Sequence, residues 1–227
     1  MSHYHWLLFD ADNTLFDFDR AEAEALRRTF DQHRIPFDDG YLPVYQRVNR
    51  DVWRQLESGA ITPAVLRVRR FELLFAQLGL AADARTFGER YLPNLALQPH
   101  LTEDALDVVR SLHARYQLAI ITNGLGDVQR PRLDRSVIRD HIAKLVISDE
   151  VGCAKPDRAI FDIAFERMGS PARSEVLLIG DSLASDIAGG LGYGIDTAWF
   201  NPRGLPADAT IVPTYELRRL RELLELV

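Results

Sequence analysis

A single cysteine stands in 227 residues. Cys153 has no internal partner, so no disulfide framework is expected and nothing depends on an oxidising compartment. Positive charge is not in excess either: 27 Lys and Arg face 33 Asp and Glu, a formal net charge of −6. Nucleic-acid binding rests on clustered positive charge, so no nucleic-acid partner is expected. A small anionic ligand stays open, because a phosphate pocket needs only a few local donors. No apolar run approaches the roughly 20 residues of a membrane span. The opening MSHYHWLLFD lacks both the basic stretch and the apolar length of a signal peptide. A cytoplasmic protein with no membrane partner is the expectation. Internal repeats and low-complexity tracts are also missing. The six histidines lack metal-ligand spacing apart from the terminal His3 and His5, so no catalytic or metal role is expected of them.

Apolar residues make up 47% and charged residues 26%, the balance of an ordinary globular protein able to bury a sizeable core. Short apolar runs at residues 5–9, 118–121, 145–147, 176–179 and 197–200 have no polar alternation, as expected of parallel strands covered on both faces. Helical patterns separate them, as at 103–116 and at 158–168, the second entered by Pro156 and followed by Gly169. Strand–helix alternation argues for an open α/β fold with a doubly wound parallel sheet. Residues 18–93 break the pattern and read as helix after helix, at 21–33, 41–57, 63–78 and 84–92. The expected division is an α/β core of residues 1–17 and 94–227 with an inserted α-helical cap domain of residues 18–93.

Polar residues cluster where the apolar runs stop. Asp10 and Asp12 follow the first, Thr122 and Asn123 the second, and Asp181 the fourth. Ligands of open α/β sheets bind at the carboxyl ends of the strands, so a parallel sheet brings these residues to one crevice. Two carboxylates two residues apart either cap the loop or do chemistry. One can attack phosphorus to form an aspartyl-phosphate, and the other can protonate the leaving alkoxide and then activate water. Mg²⁺ takes about six oxygen ligands, few of them protein carboxylates. Asp10, Asp181 and the backbone carbonyl of Asp12 suit a partial shell, with Asp186 orienting it from behind. Asp181 or Ser182 also suits a helix N-cap. Thr122, Asn123 and Gly124 offer a hydroxyl, an amide and a close backbone approach for phosphate oxygens. Lys155, before a helix, offers a point charge to the same group.

The ordered set of Asp10, Asp12 and Thr14, then Thr122-Asn123-Gly124, Lys155-Pro156 and Gly180-Asp181 with Asp186 resembles the haloacid dehalogenase (HAD) superfamily of phosphotransferases. The resemblance implies a Rossmann-like core with a helical cap. It also implies Asp10 as nucleophile, Asp12 as general acid/base, Thr122 and Asn123 on phosphate, Lys155 on the nucleophile, and Asp181 on Mg²⁺. Asp12 sets the chain apart from the dehalogenases, which lack it. Tyr45-Gln46-Arg47-Val48-Asn49, Trp53, Gly59-Ala60-Ile61-Thr62 and Arg70-Phe71-Glu72 are similar to the bacterial pyrimidine 5′-nucleotidases, as are Val146–Gly152 and Asp186–Gly190. The implied partner is a small phosphorylated metabolite, a nucleoside monophosphate. A phosphoglycolate or sugar-phosphate phosphatase, a phosphomutase and a non-catalytic binding module are the alternatives. Arg67, Arg69 and Arg70 read as a solvated helix face. Trp53, Phe71 and Phe75 read as cap core, Cys153 as a small packed residue, and Tyr193 as crowding a nearby loop.

Overall fold

The computed structural model describes residues 3–227; Met1 and Ser2, which open the stretch read against a signal sequence, lie outside the described residues. Six strands form one sheet: β1 (Trp6–Phe9), β2 (Gln117–Thr122), β3 (Lys144–Ile147), β4 (Val176–Gly180), β5 (Asp196–Phe200) and β6 (Tyr215–Leu217). Every neighbouring pair is parallel, and the order is β3-β2-β1-β4-β5-β6. This is the doubly wound arrangement, with the chain reversing its direction of travel at β1 and β4. The missing alternation in the strands has its expected meaning. Leu7, Phe9, Leu118, Ile120, Leu177 and Ile179 fill the core on one face, and Leu8, Ala119, Ile121, Val176 and Leu178 fill it on the other. β6 escaped the sequence reading because it is three residues long, lies at the sheet edge, and carries exposed Glu216 at its centre.

Helices α1 (Phe18–Gln32), α2 (Tyr41–Glu57), α3 (Pro63–Leu78) and α4 (Ala84–Ala96) fill the interval between β1 and β2. They are followed by α5 (Ala105–His113), α6 (Gly126–Asp134), α7 (Ser148–Val151), α8 (Arg158–Arg167) and α9 (Ala188–Tyr193). Against the sheet, α5 packs Val108, Val109 and Leu112 on one side, and α8 packs Ile160, Phe161, Ala164 and Phe165 on the other. The chain divides into two compact units. One contains the residues up to Phe18, with Pro99–Gly126 and Leu133–Val227; the other contains Asp19–Gln98 and Asp127–Arg132. Among the described residues no helix is long and apolar enough to cross a membrane.

The helical unit is capped where its sequence suggests. Thr62 Oγ1 accepts from Val65 N–H ahead of Pro63, and Gly79 closes α3 in the left-handed region at φ 64°. α4 does not stop at residue 92 as expected but runs on through Pro93 to Ala96. Pro93 sits in its last turn and keeps its carbonyl, which accepts from Leu97 N–H at 3.2 Å. An aromatic core fills the unit, with Phe71 5.0 Å from Phe87 and Phe30 likewise 5.0 Å from Phe87. Phe71 and Phe75 are buried there as expected, and Trp53 is half-buried. The arginine reading needs correction. Arg69 is exposed, but Arg67 is half-buried and pairs with Asp127 through both Nη atoms at 2.5 and 3.1 Å. Arg70 is buried, at 2% exposed. It falls four residues after Leu66 and four before Leu74, on the apolar stripe of α3. Tyr193 does not crowd a loop. Its ring stacks on Phe161 at 5.3 Å, and its hydroxyl donates to Asp162 at 2.8 Å.

Candidate active site

β1 ends at the sheet's switch point, and Asp10 is its first residue beyond. Asp10 N–H still donates to Ile179 O at 2.8 Å, as if the strand continued. The chain then turns sharply: Leu15 and Phe16 N–H both donate to Ala11 O, at 3.1 and 2.8 Å. Asn13 adopts φ 58°, and its side-chain oxygen accepts from Phe18 N–H at the start of α1. This local turn lets Asp10 and Asp12 share one strand end. Asp10 is buried at 6% exposed, whereas Asp12 is half-buried.

Lys155 arrives from far along the chain. Its ammonium donates to Asp10 Oδ1 at 2.5 Å and to Ile121 O at 2.9 Å, and lies 2.6 Å from Asp186 Oδ1. Asn123 explains why the lysine is there. Its carboxamide donates to Lys155 O at 2.9 Å and accepts from Lys155 N–H at 2.8 Å, clamping the backbone on both sides. The Asn123 side chain, expected on phosphate, is thus what places Lys155. Gly124 N–H donates to Ser148 Oγ at 3.0 Å, and Gly126 N–H to Asp149 Oδ2 at 3.1 Å. Thr122 Oγ1, by contrast, is buried without a hydrogen-bond partner, as is Thr14 Oγ1.

Asp181 follows β4, and its backbone oxygen accepts from Trp199 Nε1 at 2.9 Å. Beyond it, Ser182 Oγ caps the next turn by accepting from Ser185 N–H at 3.2 Å, so the N-cap reading also holds. That turn, Leu183–Ile187, is a π-helix, a wide turn frequent at functional sites. Its width swings the Asp186 carboxylate back to accept from Ser182 N–H at 3.0 Å and to lie against Gly180, where any Cβ would collide with it.

One cation therefore faces an excess of carboxylates. Burial, with Asp186 and Asp12 nearby, pushes Asp10 up to about 7 despite the opposing pull of Lys155. Burial and the charges of Asp10 and Asp186 likewise raise Asp181 well above the carboxylate range. The Lys155 ammonium is held charged by Asp10 and Asp186 against its own burial. Oxygens of Asp10, Asp181 and Asp186 lie within 4.8 Å of one another. Three carboxylates converge on one lysine, and an all-oxygen set of this kind fits a hard divalent cation.

Of the eight residues expected at the site, Asp10, Asp12, Thr122, Asn123, Gly124 and Asp181 lie at or just beyond strand ends, Lys155 on the loop before α8, and Asp186 in the π-helical turn after β4. Direct contacts join Asp10, Lys155, Asn123 and Asp186. Sequence reasoning missed Ser148, Asp149 and Trp199, which hold the loops of others; Ser148 and Asp149 follow an apolar run just as Asp10 does, and that signal was available.

Such a fold and site define a class. Residues 4–194 match the haloacid dehalogenase-like hydrolases. The chain is 36% identical to the HAD-hydrolase YfnB of Bacillus subtilis over all of its own length and 97% of that protein's. It is 36% identical to the pyrimidine 5′-nucleotidase YjjG of Escherichia coli, covering 99% of this chain and 98% of that one. Identity to the pyrimidine 5′-nucleotidase PynA of Streptococcus pneumoniae is 34%, with 98% and 94% covered. A crystal structure of YfnB bound to magnesium superimposes with a TM-score of 0.92, covering 98% of each chain. The chain belongs to the haloacid dehalogenase-like hydrolase family and is a phosphatase of that family.

Proposed function

We propose that the protein hydrolyses phosphate monoesters through a phospho-Asp10 intermediate and that its substrates are nucleoside 5′-monophosphates, pyrimidine ones foremost. The observation that carries the chemistry is a buried aspartate locked by a buried lysine at the switch point, with a second, more open aspartate two residues on. Asp10 attacks phosphorus while the bond to the leaving alcohol oxygen breaks. Asp12 gives its proton to that oxygen. Asp12 then takes a proton from the water that attacks phosphorus, releasing phosphate and restoring the Asp10 carboxylate. Lys155 orients Asp10 and balances its charge. The orphaned Thr122 hydroxyl donates to a phosphate oxygen, and Gly124 allows the close backbone approach. Asp10, Asp181 and the Asp12 carbonyl would hold Mg²⁺, with Asp186 behind. The ion would neutralise charge between the phosphate and the carboxylates.

Core residues meet only the phosphate, so discrimination falls to the helical unit, which we read as the cap. Two relatives named as pyrimidine 5′-nucleotidases support the nucleotide reading. A small phosphorylated metabolite as partner and a cytoplasmic setting belong with it. Phosphate release should be measured with UMP, dUMP, dTMP, glucose 6-phosphate and phosphoglycolate, with Mg²⁺ and after chelation. Pyrimidine nucleotides are expected to lead in kcat/KM by ten- to hundredfold, and chelation to abolish turnover. A sugar phosphate or phosphoglycolate leading would overturn the substrate class, and full activity after chelation would overturn the metal.

A further inference from the structure

One peptide group ties the acidic residues after β4 to the core of the sheet. Asp181 O accepts from Trp199 Nε1 at 2.9 Å. Ser182 N–H, the other half of the same peptide plane, donates to Asp186 Oδ2 at 3.0 Å. The second oxygen of Asp186 lies 2.6 Å from the Lys155 ammonium, which donates to Asp10. Contacts therefore run from Trp199 through the 181–182 peptide to Asp186, Lys155 and Asp10, and the Asp181 side chain branches from the middle of that line.

The register of the sheet puts the indole there. Trp199 pairs with Gly180, the last residue of β4, and its side chain reaches one residue further along the neighbouring chain. The β4–β5 ladder ends with that pair, and the Asp181 carbonyl takes its hydrogen bond from a side chain. Trp199 is 1% exposed, and the indole nitrogen is its only polar side-chain atom, a donor that accepts nothing. A plane held at both its oxygen and its nitrogen resists rotation about the two soft dihedrals that flank it, ψ of Asp181 and φ of Ser182. Asp186 has little freedom of its own, since its carboxylate fills the place where a Gly180 side chain would stand.

We infer that Trp199 is a positioning residue for the divalent cation: it sets the 181–182 peptide and, through it, the spacing of the Asp181 and Asp186 carboxylates. This rests on the metal reading above. One oxygen from each of Asp10, Asp181 and Asp186 lies within 4.8 Å of the others, so these groups repel when ionised until an ion sits between them. A frame fixed from behind keeps them together before the ion arrives. Groups that orient metal ligands in this way are worth roughly 10–100-fold in affinity.

Trp199→Phe keeps an aromatic ring in the core and removes the donor. Mg²⁺ binding, measured by calorimetry without substrate, is expected to weaken at least about tenfold. Phe165→Leu trims another buried ring packed against the sheet and touches neither Asp181 nor Ser182, so it controls for lost packing and should bind Mg²⁺ within about twofold of wild type. A second measurement does not depend on Trp199→Phe folding. Trp6→Phe combined with Trp53→Phe leaves Trp199 as the only tryptophan, and its emission is expected to change saturably with Mg²⁺, with a midpoint at the calorimetric Kd. The inference is overturned by a Trp199→Phe affinity within about twofold of wild type, by an equal loss in Phe165→Leu, or by an emission that Mg²⁺ leaves unmoved. A wild type that binds no Mg²⁺ overturns the metal reading itself, and the inference with it.

Discussion

Lys155→Met tests the electrostatic core of the site. The ammonium is 1% exposed and lies 2.5 Å from Asp10 Oδ1 and 2.6 Å from Asp186 Oδ1. At an effective dielectric near 20, each contact is worth about 6 kcal/mol in Coulomb energy. Removing the lysine also removes its own desolvation cost of several kcal/mol, and one carboxylate can relieve the remaining repulsion by binding a proton. The net loss expected is about 3–5 kcal/mol, as for other broken buried pairs. For a chain of this length that lowers the melting temperature by roughly 10 °C. Thermal unfolding followed by circular dichroism, in chelator at pH 8 and pH 5.5, reads it directly. Asp10 already has its pKa raised to about 7, so the folded state favours the neutral acid below that value. The deficit of the variant should therefore be largest at pH 8 and shrink at pH 5.5. A melting temperature unchanged at pH 8, or a deficit that grows on acidification, would refute the reasoning.

Two other substitutions probe the supports. Gly180→Ala drives a Cβ into the Asp186 carboxylate, displacing it from Lys155 and Ser182, and should cost at least tenfold in phosphate release and about 1–3 kcal/mol in urea unfolding; full activity would mean that Asp186 is not needed where it stands. Burial, partly opposed by Asn49 and Gln46, raises Glu22 from 4.5 to about 7, so the folded state binds its proton more tightly than the unfolded chain. Stability from this group is present below pH 4.5 and is lost as pH rises through 7, by about 3 kcal/mol in all. Glu22→Gln should flatten that slope, and an unaltered slope in denaturant titrations from pH 4.5 to 8 would contradict the assignment.

What was legible in the sequence followed from how directly a residue's pattern reports its surroundings. Five strands stood out because a strand buried on both faces must be apolar throughout, and the polar residue after each run marks where the sheet stops. The partnership of Asp10 with Lys155 followed only from the family resemblance, since 145 residues separate them. That the Asn123 carboxamide clamps the Lys155 backbone depends on a tertiary contact that no spacing encodes. Arg70 was misread for another reason. Three arginines in four positions look like a wet surface, yet helical phase puts Arg70 in line with Leu66 and Leu74. Residue type overrode periodicity there, and periodicity was the better guide.

The central place of β1 bears on how the chain reaches its native state. β1 has neighbours on both sides, and both come late in the sequence, at Gln117 and Val176. The helical unit between them is built largely from sequence-adjacent helices, α2 against α3 and α3 against α4. Local contacts form sooner than distant ones, because a short loop costs less entropy to close. During synthesis from the amino terminus, α1 to α4 can therefore assemble while β1 has no strand beside it. Its apolar residues Leu7, Leu8 and Phe9 stay uncovered until more than half of the chain has emerged. Asp10 gains the hydrogen bond that fixes its backbone only when Ile179 arrives. The candidate site is thus among the last parts to form, and a chain cut short before β4 carries Asp10 without the means to hold it.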